Sequence, residues 1–346
     1  MEVDHIVKKF IATENYTLTP IINGLINVTF IVENKDTHQK FILQNINNQV
    51  FKNTDSIIIN HLQVNCLLQS NDYQLDIIKP ILSLSKDFLV QDENLQPWRM
   101  QSFVEDSVTF IKVPSSDIAF EAAKAFSHFL DVVNTGTLPN IEDTLPNFLN
   151  FEKRVQDYKE ALKNADPQFS EKASAEIELT NQFLSLPNKW IEMVNNNQLP
   201  KRIIHADAKI SNILFDENHE ALAVIDLDTV MVSTILYDFG TMIQSYTNIT
   251  NEDDGSAENN FNPEIYNAVK NGFLFHLKEK LSPEESAHLD YAAQVAIYIQ
   301  EIRFLTDYLN GSIYYSTQYS EHNLDRTKNQ LELLKGLNEF LGRRVF

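Results

Sequence analysis

Val3, Ile6, Val7, Phe10 and Ile11 fall at helical spacing and predict a short amphipathic helix at the start of the chain. The pattern then changes to runs rich in β-branched and aromatic residues, which predict strands over 16–22, 25–32 and 40–43. Asn23-Gly24 supplies the first turn between them, and Asn34-Lys35-Asp36 the second. A helix is expected over 54–68, then strands over 77–82 and 88–90 and within 97–104. Polar Glu105-Asp106-Ser107 break the pattern there, so the chain divides into an N-terminal lobe, 1–105, and a C-terminal lobe, 106–346. Beyond Ser116 the period is helical. Phe120, Ala123, Phe126, Phe129, Leu130 and Val133 form one stripe, with Asp117 as its candidate N-cap. Gly136, Pro139 and Pro146 mark a loop, and further helices are expected over 150–163, 170–195, 264–280, 284–309 and 323–342. The polar stretch 248–262 reads as a loop, either a solvated face or a lid. Strands first and helices afterwards give an α+β chain.

One segment, 202–229, breaks the helical run of the second lobe. Ile203-Ile204 lead into a polar loop with His205, Asp207 and Asn212; Ile213-Leu214-Phe215 and 221–225 then flank the turn Asp216-Glu217-Asn218. That is a β-hairpin pattern. Paired strands lie about 5 Å apart, so Asn212 and Asp226 should be neighbours, with Asp207 reaching them from the loop. Two carboxylates and an amide oxygen suit a hard divalent cation and one base. Phosphoryl-transfer enzymes with a protein-kinase-like fold use this logic: an Asp accepts the proton of the attacking hydroxyl, while an Asn and a later Asp hold magnesium. A surface hairpin whose acids only solvate a turn is the bland alternative. Asp216 and Glu217 already serve that turn, leaving Asp207, Asp226 and Asp228 unexplained. His205 is expected to pack under the loop and bond to backbone. Asp238-Phe239-Gly240 lies too far past the hairpin to hold the metal and should cap or position the next helix.

Charge narrows the partners. With 28 Lys+Arg against 48 Asp+Glu the net charge is −20, which argues against nucleic acid and anionic membranes. A phosphate site therefore needs local positive charge, which magnesium would supply. Cys66 is the only cysteine, so no internal disulfide forms; its helical apolar setting reads as core. No signal-like or membrane-length run of about 18 apolar residues occurs, and a cytoplasmic protein with no obligate protein partner is expected.

The nucleotide side is less conventional. Gly24 is the one glycine of INGLINVTF, and the eight glycines of the chain form neither GxGxxG nor a Walker A loop. Gly24 and Asn27 are the candidates for the phosphate turn. Kinases place a Lys on the third strand, paired with a Glu on the next helix; here FILQN puts Gln44 there, and 54–68 contains no Glu. A neutral contact from Gln44 is one replacement, and Lys52 a candidate for the charge. Backbone groups from Gln101 through Phe103 to Val104 would receive adenine. On the long helix Arg303 and Asp307 stand at i, i+4, the spacing of a helical ion pair. Tyr308, Tyr314 and Tyr315 nearby suit either a sugar face or the core.

With these residues in place the sequence resembles the aminoglycoside phosphotransferase and choline kinase superfamily, and more closely its N-acetylhexosamine 1-kinases. The likeness runs through INGLIN at 22–27, FILQNIN at 41–47, PWRMQSFVED at 97–106, HADAKISN at 205–212, VIDLDTVM at 224–231, LYDFG at 236–240 and RFLTDYLNG at 303–311. It implies a two-lobed protein-kinase-like fold, ATP and Mg2+, and phosphorylation of the anomeric hydroxyl of N-acetylglucosamine, N-acetylgalactosamine or a related hexose. In it Asp207 is the base, Asn212 and Asp226 hold magnesium, and Arg303 with Tyr314 lies by the sugar; Asp228 is a further candidate for substrate contact. Gln44 is usual in that group. Ala206 and Ala208 stand where Asn and Thr are usual, Val232-Ser233 where Pro-Gly is, and Thr241 where Asp is. Small residues beside the base predict extra room at the acceptor. Other readings are a kinase of another small hydroxylated molecule, such as an aminoglycoside or choline, and a binding protein that has lost catalysis. A glycosidase with paired acids would give Asn212 and the strands no role.

Overall fold

The computed structural model describes residues 3–21 and 26–343, so Gly24 and the 23–24 turn lie outside the described residues. Helix α1 (Asp4–Phe10) precedes strands β1 (Tyr16–Ile21), β2 (Val28–Asn34) and β3 (Lys40–Asn45), then α2 (Thr54–Ser70), β4 (Pro80–Ile81), β5 (Val90–Gln91) and β6 (Pro97–Ser102). These strands form one antiparallel sheet in the order β1-β2-β3-β6-β4, with β5 also on β6. Alternation explains its core: Val32, Phe41, Leu43 and Met100 point to one face and bury against Ile6, Val7 and Phe10 of α1. β4 and β5 are shorter than expected. Pro80 has no N–H to give, and the Ile78 carbonyl accepts from His61 Nε2 and Asn65 Nδ2 of α2, both at 2.8 Å, instead of joining a ladder.

The remainder is mostly helical: α3 (Ser116–Val133), α4 (Phe151–Asn164), α5 (Pro167–Lys172), α6 (Ser174–Gln182) and α7 (Ser185–Asn195) come first. Then follow β7 (Arg202–Ile204), β8 (Ile213–Phe215), β9 (Ala221–Val224) and β10 (Met231–Ser233). Helices α8 (Leu236–Tyr246), α9 (Pro263–Leu277), α10 (Pro283–Ala287), α11 (Leu289–Leu309) and α12 (His322–Phe340) complete the chain. The cap of α3 is Ser115, whose hydroxyl accepts from the Ile118 N–H; Asp117 sits inside the first turn. The single helix expected over 170–195 is three, with the chain bending at Ala173 and at 183–184 to press Phe183 and Leu184 onto the core. The one expected over 284–309 breaks at His288. Cys66 is exposed on α2, so the expectation of a core cysteine is corrected: α2 carries apolar side chains on both faces, and periodicity alone does not choose between them. Among the described residues no helix is long and apolar enough to cross a membrane.

Helix α11 is the hub of this core. α8 approaches it so closely that a Cβ on Gly240 would stand 2.6 Å from the Ala292 carbonyl oxygen. Glu301 of α11 is fully buried, with one oxygen accepting from Thr180 Oγ1 at 2.8 Å and the other without a partner. Burial pushes its carboxyl up to about 8, against the partial pull of Thr180. The folded protein therefore holds a proton here that the unfolded chain releases above its ordinary carboxyl range, and stability falls as pH rises from there toward 8. Each unit of such a shift is about 1.4 kcal/mol. Glu301→Gln should flatten this decline, gaining a few kcal/mol on wild type between pH 5 and pH 8 in denaturant unfolding. Parallel pH profiles would mean that Glu301 is already ionised in the fold.

Candidate active site

The site begins where β7 ends. Arg202 anchors that strand through two 2.8 Å bonds to buried Glu285, and Asn134 closes its edge by bonding both backbone groups of Ile203. β7 pairs with β10, a strand that the sequence pattern did not announce because its three residues carry no period. His205 is fully buried as expected, and a proton on Nε2 satisfies both of its contacts: Nε2 donates to the Ile225 carbonyl at 2.9 Å, and Nδ1 accepts from the Asp207 N–H at 3.3 Å.

Asp238 does more than start α8. Its two oxygens accept the backbone N–H groups of His205 at 2.7 Å and Ala206 at 2.8 Å, so the buried carboxylate grips the loop that carries Asp207. Burial pushes its carboxyl up to about 6, opposed by His205 and the two N–H donors. The grip holds Ala206 at φ 63, a left-handed conformation that costs a non-glycine residue roughly 1–2 kcal/mol. Ala206 and Ala208 are both buried in the main core. Neither side chain reaches the surface, so they open no exposed room beside Asp207.

Asn212 lies at the end of a 3-10 turn, Ile210–Asn212, and its Nδ2 donates to the Asp207 carbonyl at 2.9 Å and to Asp207 Oδ2 at 3.0 Å. The hairpin pairs β8 with β9, Ile213 opposite Val224, and the Ile225 N–H donates to the Asn212 carbonyl at 2.9 Å. Asp226, next in the chain, takes φ 63, and Asp207 lies close enough to act on its charge. Of the three residues expected to meet, Asp207 and Asn212 share a hydrogen bond, and Asp226 follows directly after the residue bonded to the Asn212 carbonyl. Asp226 reaches solvent, and its carboxylate has no hydrogen bond or ion pair among the described residues. Protein packed around it, then Asp228 and Asp207, push its carboxyl up. Lys209, whose role the sequence reading missed, bonds Asp207 Oδ2 at 2.7 Å. Its enclosure lowers its pKa, but Asp207 and Asp226 outweigh that and leave it raised. Its place two residues after the Asp was the available signal.

The nucleotide candidates fare differently. Gln44 lies opposite Arg99 in the sheet, and its Oε1 accepts from Arg99 Nε at 3.0 Å and Nη2 at 2.8 Å. Arg99, 1% exposed, then forms a two-bond pair with Asp228, at 2.6 and 2.9 Å. Asn27 Nδ2 donates to Asp228 at 3.0 Å, while Asn27 Oδ1 accepts the Asn47 N–H at 3.1 Å. These are corrections. Asp228, 2% exposed with both oxygens engaged, cannot touch a sugar, and the side chains of Gln44 and Asn27 are likewise occupied. The buried cation expected of a kinase sheet is present, but as Arg99 on β6. Burial and that arginine together lower the neighbouring His61 to about 4. Gln101 lies inside the sheet, opposite Ile42 and Pro80, with its amide toward His61, which removes it from the adenine role. Phe103 and Val104 follow the strand; the Val104 carbonyl accepts from Ser107, and Lys40 lies over the Phe103 ring. Lys52 is exposed, with no hydrogen bond or ion pair among the described residues.

On the helical side Arg303 lies between the rings of Phe148 and Tyr315, 5.7 and 5.6 Å from their centroids. It does not pair with Asp307. That carboxylate instead accepts the N–H groups of Ile313, Tyr314 and Tyr315 and the Asn323 amide, shaping the turn that carries Tyr314. Tyr308 is core, 1% exposed. Arg303, Tyr314 and Tyr315 wall a cavity of about 320 Å³. Tyr237, within LYDFG, was also missed. Its ring packs against Phe148, and its hydroxyl, pushed up to about 12 mainly by burial, senses both Arg303 and Asp207. It joins the two halves of the site.

A family model described as the phosphotransferase enzyme family (APH) matches residues 17–262. Among solved structures, a microcompartment-associated aminopropanol kinase superposes with a TM-score of 0.63 at 14% identity, covering 98% of this chain and 97% of its own. An aminoglycoside phosphotransferase from Alicyclobacillus acidocaldarius gives 0.65 at 11%, covering 97% and 95%. Choline kinase from Cryptosporidium parvum gives 0.59 at 14%, covering 98% and 96%. At these identities the likeness is one of fold: an antiparallel N-terminal sheet and a helical C-terminal part, as the sequence pattern predicted.

Proposed function

Because the chain belongs to the phosphotransferase enzyme family, we propose that it uses ATP and magnesium to phosphorylate the anomeric hydroxyl of an N-acetylhexosamine or a related hexose. The observation that carries this reading is the Asp207–Asn212 hydrogen bond at the open end of the hairpin whose second strand leads into Asp226, with Lys209 on Asp207. The oxygens suit a hard cation: neither the Asp226 carboxylate nor Asn212 Oδ1 has a hydrogen-bond partner among the described residues. No group of three or more His, Cys, Asp or Glu that could hold a metal occurs among those residues. Two protein ligands, with nucleotide phosphates and water filling the rest, match the way magnesium is usually held. Bound there, magnesium would neutralise charge on the transferred phosphoryl group.

Asp207 accepts the proton of the attacking hydroxyl. Asn212 holds that carboxylate in place through its amide, and Asp238 holds the loop from behind. Lys209 supplies a second cation beside the reacting oxygens. An anomeric hydroxyl is the most acidic of a sugar's hydroxyls, because the ring oxygen withdraws charge, so a modest base suffices. Arg303 and Tyr314, carried over from the sugar 1-kinase resemblance, would position the ring, and Tyr237 would connect them to the base. ATP turnover should require both sugar and magnesium, and phosphorus NMR should show a sugar 1-phosphate. A 1-deoxy sugar should be inert. Its phosphorylation at the normal rate would refute the choice of hydroxyl and leave the phosphotransferase assignment standing.

A further inference from the structure

The cavity beside Arg303 has an uneven supply of hydrogen-bonding groups. Arg154 of α4 lines it together with Arg303. Its Nε is buried without a partner, and its Nη2 makes only two 3.4 Å contacts, to the carbonyls of Asn147 and Phe148. Arg303 bonds Gln300 at 3.2 Å and the Tyr314 side chain. Neither arginine forms an ion pair among the described residues, in a chain with 48 acidic side chains to choose from. Arg326 stands nearby over the Phe304 ring, and its Nε too is buried and unpartnered.

The acids around this cavity do not fill the gap. Asp307 already accepts four N–H donors. Asp157 pairs with Lys153 at 2.8 Å, and Glu160 accepts from Gln156 at 2.9 Å. Glu252 approaches Arg326 and Arg303 from the 248–262 loop but forms an ion pair with neither. Two guanidinium groups close enough to repel each other, with donors left over and the local acids engaged elsewhere, are an arrangement that an anion would complete. A cationic amine would add repulsion. Tyr314, 72% exposed, leaves the cavity open on one side, so a ligand can enter.

We propose that the acceptor carries an anionic group, a carboxylate or a phosphate ester, that docks between Arg154 and Arg303 while its reacting hydroxyl faces Asp207. The hydroxyl's identity rests on the sugar 1-kinase reading above; the anion subsite does not. It narrows the acceptor, within the related hexoses allowed above, to one that carries an acidic group.

Calorimetric titration tests this without turnover. Glucuronate, glucose 6-phosphate, N-acetylglucosamine and ethanolamine are each titrated into the full chain with ADP and magnesium present. At least one of the two acidic sugars should bind tenfold or more tighter than N-acetylglucosamine, and ethanolamine should be the weakest. Which acid wins distinguishes carboxylate from phosphate. Raising the salt concentration should weaken the acidic sugar selectively, and Arg154→Gln should erase most of its advantage, with Arg154→Lys restoring part. Equal or tighter binding of the neutral sugar, no binding of either acid, or a preference that survives Arg154→Gln would each overturn the proposal. Turnover of the same sugars is read separately. An acidic sugar that binds as described but is not phosphorylated at its anomeric oxygen would sink the 1-kinase reading and leave the anion subsite intact.

Discussion

Asp207→Asn should lower the turnover rate about 10²–10⁴-fold, the usual contribution of a positioned general base, and leave nucleotide affinity nearly unchanged. The substitution keeps the shape of the side chain, and an amide oxygen can still accept from Asn212. What it removes is the carboxylate proposed to take the proton as the hydroxyl attacks. It also frees Lys209, now bonded to Asp207 Oδ2 at 2.7 Å, and the loop itself stays gripped by Asp238 through the backbone of His205 and Ala206. Steady-state kinetics should therefore show a loss in kcat, while the dissociation constant for ATP barely moves. A variant retaining over half the wild-type rate would show that Asp207 is not the base.

The second large effect is on stability. Arg99 and Asp228 are 1% and 2% exposed and share two hydrogen bonds, with Gln44 on the arginine and Asn27 on the carboxylate. A buried pair of this kind contributes little net stability compared with apolar residues of the same volume. Removing one partner leaves the other charge stranded, at a cost of about 3–5 kcal/mol. Arg99→Met should therefore destabilise the protein by about that amount in urea unfolding, and Arg99→Met combined with Asp228→Asn should recover much of it. The pair spans from β6 to the segment just after Asp226, so the single variant should also disturb the carboxylate proposed to hold the metal. If the two substitutions simply add, the charges do not interact as the geometry requires.

The hairpin was legible in the sequence because its determinants are local. Asp216 Oδ1 accepts the N–H groups of Asn218 and Glu220, each at 2.8 Å, so the turn is written in five consecutive residues, and pairing then brings Asn212 beside Asp226. The antiparallel sheet and the long helices were readable for the same reason, since alternation and helical spacing are short-range signals. What escaped is non-local. Nothing near Asp238 indicates that its partners are two N–H groups more than thirty residues upstream. Arg99 sits in an ordinary-looking strand, and only the register that sets it against Gln44 shows where the missing lysine's charge went. Asp228 looked like a site acid because the hairpin turn left it unexplained, yet it is buried against Arg99 while Asp226, two residues earlier, reaches solvent. Burial misled in both directions: Cys66 lies exposed on a helix that carries apolar residues on both faces, while Ala206 and Ala208 are covered by the core although they flank Asp207.

The central claim is that Asp226, together with Asn212, holds the metal at the transferred phosphate. Electron paramagnetic resonance of Mn2+, standing in for magnesium, tests it most directly with a non-hydrolysable ATP analogue present. Wild-type protein should bind the ion in a nucleotide-dependent manner. Asp226→Ala should abolish that binding, whereas Asp216→Ala, which removes an acid serving only the hairpin turn, should retain it. Nucleotide-dependent Mn2+ binding that persists in Asp226→Ala would contradict the account.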